Sequence, residues 1–172
     1  ENGIKAKGID TNEDMVFVCK EKGLDVELAD AISYLKSLKD NNLEGIIACQ
    51  VIEHLTTDVL IEFVKLCCQK LKKEGKMILE TINPECLTTL ATNFYVDLSH
   101  IKPIHPIAIK FLSQTIGFTN VEIQYLSPYP EIYKLKLVED NKSEDSEVIN
   151  ENFEQLNKLL FGYQEYALIC KK

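Results

Sequence analysis

An α/β domain with a mainly parallel sheet is what this sequence predicts, on three observations. Short apolar runs of strand character alternate with helical stretches from Ala6 onward, and the connections between them are short. Residues 45–49, Gly-Ile-Ile-Ala-Cys, read as a strand buried on both faces, as the strands of parallel sheets are. The 172 residues fit a single domain, 1–172, large enough to bury a core without staples.

The elements follow in order. A strand over 6–10 ends on Asp10, and Thr11 or Asn12 caps a helix over 13–22. A strand over 25–28 leads to Asp30 and a helix over 31–37. Next come a strand over 44–49, a helix over 57–73 and a strand over 76–81. A helix over 106–116, a strand over 120–127 and a terminal strand over 164–171 complete the set. Residues 82–105 form a long irregular connection, a feature usually tied to function or mobility. Residues 139–150, "EDNKSEDSEVIN", are acidic and poor in apolar side chains, and read as a solvated, flexible insertion. With only the short stretch 151–161 after that insertion, the last two strands are expected to pair antiparallel. Glu1-Asn2-Gly3 resembles the last turn of a helix with a glycine stop, so the chain is expected to open partway through a larger unit.

Nineteen basic residues stand against 27 acidic ones, a formal charge of −8. That balance argues against nucleic acid and anionic membranes, which select basic patches, and favours a small molecule or another protein. No apolar run reaches membrane-spanning length and the first residues lack a signal-peptide pattern, so a soluble, cytoplasmic protein is expected. The six cysteines lie in apolar runs without CxxC spacing, which predicts reduced, buried thiols.

Chemistry is expected at the carboxyl ends of the strands, where open α/β sheets bind ligands. Asp10 stands at one such tip, in "GIDTNEDM". Its carboxylate suits a ribose 2′,3′-diol, and it equally suits a local helix cap. Asp30, at the next tip in "LDVELADAI", has the same two roles, with an adenine amino group as the ligand. At the third tip lies "QVIEHL", Gln50 to Leu55. Its adjacent Glu53 and His54 suggest acid–base or metal chemistry, but side chains at i and i+1 do not face each other on a helix.

"GIDTNEDM", "LADA", "GIIACQVIEHL" and "LKKEGKMILETINPE" together resemble, in order and spacing, the class I S-adenosylmethionine-dependent methyltransferases. The branch associated with glycan and polysaccharide biosynthesis, with its loop like "DLSHIKPIHP" and its ending like "LLFGYQEYALICKK", is the most similar. The resemblance covers nearly the whole chain and implies a Rossmann-like three-layer sandwich. It implies that Asp10 holds the cofactor ribose, that Asp30 and Ala31 lie against the adenine, and that Gln50 flanks the methionine portion. S-adenosylmethionine is then the cofactor and S-adenosylhomocysteine the product.

The front of the chain departs from that family. The first strand and its acidic-GxGxG loop have no counterpart, and the seven glycines are scattered. In the family's strand order 3-2-1-4-5-7-6 the missing strand is the central one. Its absence leaves the strands 6–10 and 44–49 with unpaired apolar edges. An N-terminally truncated domain is therefore expected, either a fragment of a longer chain with an upstream segment or further domains, or one whose gap is closed in another way.

On the acceptor side, "ATNFYVDLSHIKPIHP" gathers Tyr95, Asp97, His100, Lys102 and His105 near the crevice, stiffened by Pro103 and Pro106. His100 or His105 is expected to serve as base or acceptor ligand, with Tyr95, Asp97 and Lys102 binding the acceptor and Lys102 meeting an anionic group. The acceptor is expected to be glycan-related or another small molecule, methylated on oxygen. No metal is expected; Asp97, His100 and His105 are the alternative ligand set, without a recognised spacing. Two rivals are a degenerate, non-catalytic domain of the same fold and a nicotinamide-dependent oxidoreductase, which needs the same absent loop.

Overall fold

The computed structural model describes residues 3–139 and 144–172. In chain order the elements are β1 (Gly8–Asp10), α1 (Glu13–Glu21), β2 (Val26–Leu28), α2 (Ala31–Ser37), β3 (Leu43–Cys49), α3 (Thr57–Lys70), β4 (Leu71–Ile82), α4 (Leu87–Thr89), α5 (Pro106–Ile116), β5 (Thr119–Pro128), α6 (Glu144–Leu160) and β6 (Tyr163–Lys171). A 3-10 turn, Ile52–His54, stands between β3 and α3, and a π-helical turn, Leu90–Phe94, follows α4.

The strands form two sheets. β1 and β2 pair in parallel with Asp10 opposite Leu28. The second sheet has the order β3-β4-β6-β5, with β3 and β4 parallel and β6 antiparallel to both neighbours. The antiparallel end matches expectation. Among the described residues β1 and β3 share no ladder, so each presents an open edge.

β3 corrects the expectation of a strand buried on both faces. It is an edge strand, Ala48 faces the core, and Ile47 is 69% exposed. The same edge leaves Cys49 exposed, against the expectation of six buried thiols; Cys67, Cys86 and Cys170 are buried, Cys19 and Cys68 partly so, and all six are free.

The core lies where α3 and α5 cover the four-stranded sheet: Leu60, Phe63, Val64 and Cys67 meet Met77, Leu79, Ile109, Val121 and Leu168. Each such aliphatic side chain contributes roughly 1.5–3 kcal/mol by leaving water. α2 docks on α3 through Leu35, joining the β1–β2 pair to the same core.

Helix α3 ends at Lys70 rather than at 73. Leu71 turns extended (φ −67°, ψ 141°), is fully buried and pairs with Leu43, so burial wins over the helical pattern of the following lysines. The freed carbonyls of the helix end find donors: Lys172 Nζ reaches Gln69 and Leu71 oxygens at 3.3 and 2.7 Å, and Asn41 and Asn42 amides reach Gln69 and Lys70 oxygens at 3.1 and 2.8 Å. A lysine there also faces the negative pole of the helix. Gly75 is required inside β4, where the pairing with β3 shifts register, since a Cβ would stand 2.9 Å from the Lys72 oxygen and 3.2 Å from the Glu44 oxygen.

Two loop expectations change. Part of 82–105 is helical, in α4 and the π-helical turn. Of the acidic stretch 139–150, residues 140–143 lie outside the described residues, and from Glu144 the chain is the 17-residue α6. That helix is fixed by asparagines rather than by apolar anchors alone. Asn157 binds both the amide and the carbonyl of Leu135 (2.7 and 2.9 Å), and Asn150 does the same to Val138 (2.7 and 3.2 Å). Of the expected helix end at 1–3, Glu1 and Asn2 lie outside the described residues; Gly3 has φ 73°.

Candidate active site

The carboxyl ends of β1, β2, β3 and β4 each deliver a polar side chain. At the first, Asp10 Oδ1 accepts from the Asn12 amide at 2.8 Å, and Asn12 Oδ1 caps α1 by accepting from the Asp14 and Met15 amides. Asp10 is exposed, and no described residue engages its Oδ2. Asp30 caps α2 through its Oδ1, which accepts from the Ser33 amide at 2.9 Å. The parallel register and the bond from the Ala29 amide to the Asp10 carbonyl (3.0 Å) put both acids at the same end of the pair. Asp30 therefore fills the capping role with one oxygen, Asp10 leaves its cap to Asn12 and spends one oxygen on that residue's amide, and Ala31 opens α2 beside Asp30.

Gln50 follows β3 with φ 52°, a left-handed backbone that costs a non-glycine residue of order 1–3 kcal/mol. Its amide donates to the Glu80 carbonyl at 2.9 Å, and Nε2 approaches Glu165 at 3.5 Å. Strain of this kind persists only where the surroundings over-determine it, and it ends the strand abruptly so that the chain turns into Ile52–His54.

That turn holds the feature that helical spacing conceals. Because residues 52–54 form one 3-10 turn, Glu53 and His54 do converge, and His100 arrives from the long loop to join them. One ligand-type atom from each of the three lies within 4.8 Å of the others. The loop is pinned by the Glu53 carbonyl, which accepts from the Ile101 amide (2.9 Å) and the Lys102 amide (3.4 Å). Glu53 itself is fully buried, and neither carboxylate oxygen has a hydrogen-bond partner. Burial pushes its pKa up. Its own backbone, the nearby Thr81 hydroxyl and the two imidazoles oppose that rise. Thr81 Oγ1, buried as well, makes no well-formed hydrogen bond, so its effect is one of proximity.

The imidazoles are oriented from behind. His100 Nδ1 stands 2.7 Å from the Phe94 carbonyl, and its ring stacks on Phe94 at 4.8 Å. His54 Nδ1 stands 3.2 Å from the Ser99 carbonyl and 3.1 Å from its hydroxyl. A carbonyl only accepts, so each Nδ1 carries a proton, and in the neutral imidazole Nε2 is the nitrogen that keeps the lone pair. Asp97 backs the arrangement: Oδ1 accepts from the Ser99 hydroxyl at 2.6 Å and amide at 2.8 Å, and Oδ2 lies 3.7 Å from His100 Nε2. The Ser99 bonds hold the Asp97 pKa below the usual carboxylate range.

The remaining candidates from the loop separate from this cluster. Tyr95 is 67% exposed, edge-on to Phe94. Lys102 donates to Thr57 Oγ1 at 2.7 Å and, with His105, lines a cavity of about 300 Å³ between α3 and α5. His105 caps α5, its Nδ1 accepting from the Ile107 amide at 3.2 Å, while Nε2 lies 3.5 Å from Glu85. The set Asp97, His100 and His105 is thus not assembled, and Glu53 and His54 stand with His100 instead.

The sequence does not single out Glu85, an acid three residues past the end of β4. It accepts from the Tyr125 hydroxyl at 2.7 Å, a bond that pushes the Tyr125 pKa up to about 12. Together with Asn83, Cys86 and Tyr163 it lines a second cavity, of about 280 Å³.

No protein-family profile matches the chain, and no curated protein matches it. Solved structures do. A SAM-dependent methyltransferase from Archaeoglobus fulgidus superposes with a TM-score of 0.92 and is 43% identical, the match covering 99% of this chain and 77% of that one. A SAM-dependent methyltransferase from Thermotoga maritima, described as a possible histamine N-methyltransferase, gives 0.66 at 16% identity over 96% and 72%. Phosphoethanolamine N-methyltransferase 2 of Haemonchus contortus, in complex with S-adenosyl-L-methionine, gives 0.62 at 17% over 99% and 44%. The last two share the Rossmann-like fold. With its identity to the Archaeoglobus protein along nearly its whole length, this chain belongs to the SAM-dependent methyltransferase family.

Proposed function

We propose that the chain transfers a methyl group from S-adenosylmethionine to a hydroxyl of a small, glycan-related acceptor, with the cofactor at the β1–β2 tips and the acceptor facing the His54–His100 side. The observation that carries the cofactor half is Asp10: its Oδ1 is spent on the Asn12 amide, and its Oδ2, which no described residue engages, faces outward where a diol can meet it. Hydrogen bonds to a charged acceptor contribute roughly 1.5–3 kcal/mol each. Asp30 and Ala31 would meet the adenine, and Gln50, held in its strained turn, the methionine portion.

The cofactor supplies an electrophilic methyl on a sulfonium, so the protein's work is alignment and removal of the acceptor's proton. Of the two candidate bases His100 is the better placed. Its Nδ1 donates to the Phe94 carbonyl, so the neutral ring keeps its lone pair on Nε2, 3.7 Å from Asp97, whereas His105 Nδ1 accepts from the Ile107 amide, which puts that ring's proton on Nε2, facing Glu85. Tyr95, Asp97 and Lys102 border the acceptor, with Lys102 suited to an anionic group. The open edges of β1 and β3 favour completion of the site by a further strand and glycine-rich loop.

Calorimetric titration of S-adenosylhomocysteine into the purified chain tests this. Micromolar binding, weakened at least tenfold by Asp10→Ala, is expected. A folded chain that binds no S-adenosylhomocysteine, alone or extended upstream, would instead favour a non-catalytic module of this fold.

A further inference from the structure

We infer that Glu53, His54 and His100 form a binding site for a divalent first-row transition cation. Three observations converge on it. Glu53 is fully buried with both carboxylate oxygens unpartnered, an arrangement that costs free energy unless something positive answers it. The two histidines are fixed through Nδ1 by carbonyl oxygens, leaving Nε2 as the lone-pair atom, which is how ligating imidazoles are usually held from behind. The three donor groups lie within 4.8 Å of one another. Ligands of one ion at ~2.1 Å stand roughly 3–4 Å apart, so closure takes a shift of about 1 Å.

The donor set also selects the ion. Two imidazoles and one carboxylate suit zinc, manganese, iron or cobalt, while magnesium and calcium prefer all-oxygen shells. Asp97 belongs to the support. It receives the Ser99 hydroxyl that in turn accepts from His54, and it stands 3.7 Å from His100. Three protein ligands leave positions open, as catalytic rather than structural sites do.

Its chemical role rests on the methyl-transfer reading above. An acceptor hydroxyl whose oxygen meets the cation loses its proton to solvent more readily. The oxygen then attacks the methyl carbon, the new C–O bond forms as the C–S bond breaks, and the sulfonium leaves as a neutral thioether. Under this arrangement His100 acts through the cation instead of taking the proton itself.

The test is titration of zinc chloride, and separately cobalt chloride, into the chelator-treated chain by calorimetry and visible absorption. One equivalent is expected to bind, with cobalt d–d bands of histidine–oxygen type. Binding is expected to fall at least tenfold in His54→Ala and in Glu53→Gln and to persist in Cys49→Ser, which removes the exposed thiol. Sub-stoichiometric binding, or binding that survives His54→Ala but not Cys49→Ser, would overturn the site. Parallel titration with S-adenosylhomocysteine separates the two proposals. Cofactor binding without metal uptake refutes the cation site alone, and metal uptake with no cofactor binding by the chain, alone or extended upstream, refutes the methyl-transfer reading alone.

Discussion

Glu53 is an acid kept where water cannot reach it, and its cost is measurable. A carboxyl whose folded pKa is raised binds more protons folded than unfolded in the window above the ordinary glutamate value of about 4.3. Stability therefore falls as pH rises from that value through the raised folded one, and the deficit stays constant above it. Glu53→Gln keeps the shape and removes the charge. In metal-free protein it is expected to raise the melting temperature at neutral pH by roughly 2–4 °C, or about 1 kcal/mol, with no gain below pH 4. A lower melting temperature at pH 7 would mean that the carboxylate is already compensated. The sequence showed both Glu53 and His54, yet not their convergence, because that depends on residues 52–54 being a 3-10 turn and on His100 crossing from 46 residues away. Asp10 and Asp30 were legible because strand, acid and cap are all local.

Among the elements, α6 is the one whose surroundings the sequence hid most. Its acidic start reads as solvated, and the asparagines that fix it look like ordinary surface residues until residues 135 and 138 run alongside. Asn150 and Asn157, seven apart, lie on one face of the helix and engage those backbone groups as a neighbouring strand would. Asn157→Ala removes two hydrogen bonds at about 0.5–1.5 kcal/mol each. The amide of Leu135 is expected to exchange roughly tenfold or more faster in hydrogen–deuterium measurements, while amides of β4 remain protected. Unchanged exchange would assign the hold on this segment to apolar contacts. By contrast, α1, α2 and α5 begin where the sequence places them, since Asn12, Asp30 and His105-Pro106 are cap signals that need no tertiary context.

Across the whole molecule, the alternation of elements and the antiparallel close were readable from period and spacing. The gap between β1 and β3 was expected from the resemblance, whose central strand has no counterpart in the chain, but the exposure of β3 was harder to see, because an edge strand and a buried one share the same apolar composition. The four-stranded sheet depends on its last member. β4 and β5 do not touch as neighbours; β6 lies between them, its Tyr166 hydroxyl also donating to the Ile104 carbonyl at 2.9 Å. Deletion of residues 163–172 is expected to abolish cooperative thermal unfolding, and a sharp transition in the shortened chain would contradict that. For a chain emerging from a ribosome, N-terminus first, the strand order sets a schedule. The parallel β3–β4 pair can form early, but β5 has no partner until residues 163–171 appear. Until then the free edge of β4 and both edges of β5 stay open to neighbouring nascent chains, so exposure to misassembly lasts until β6 has emerged.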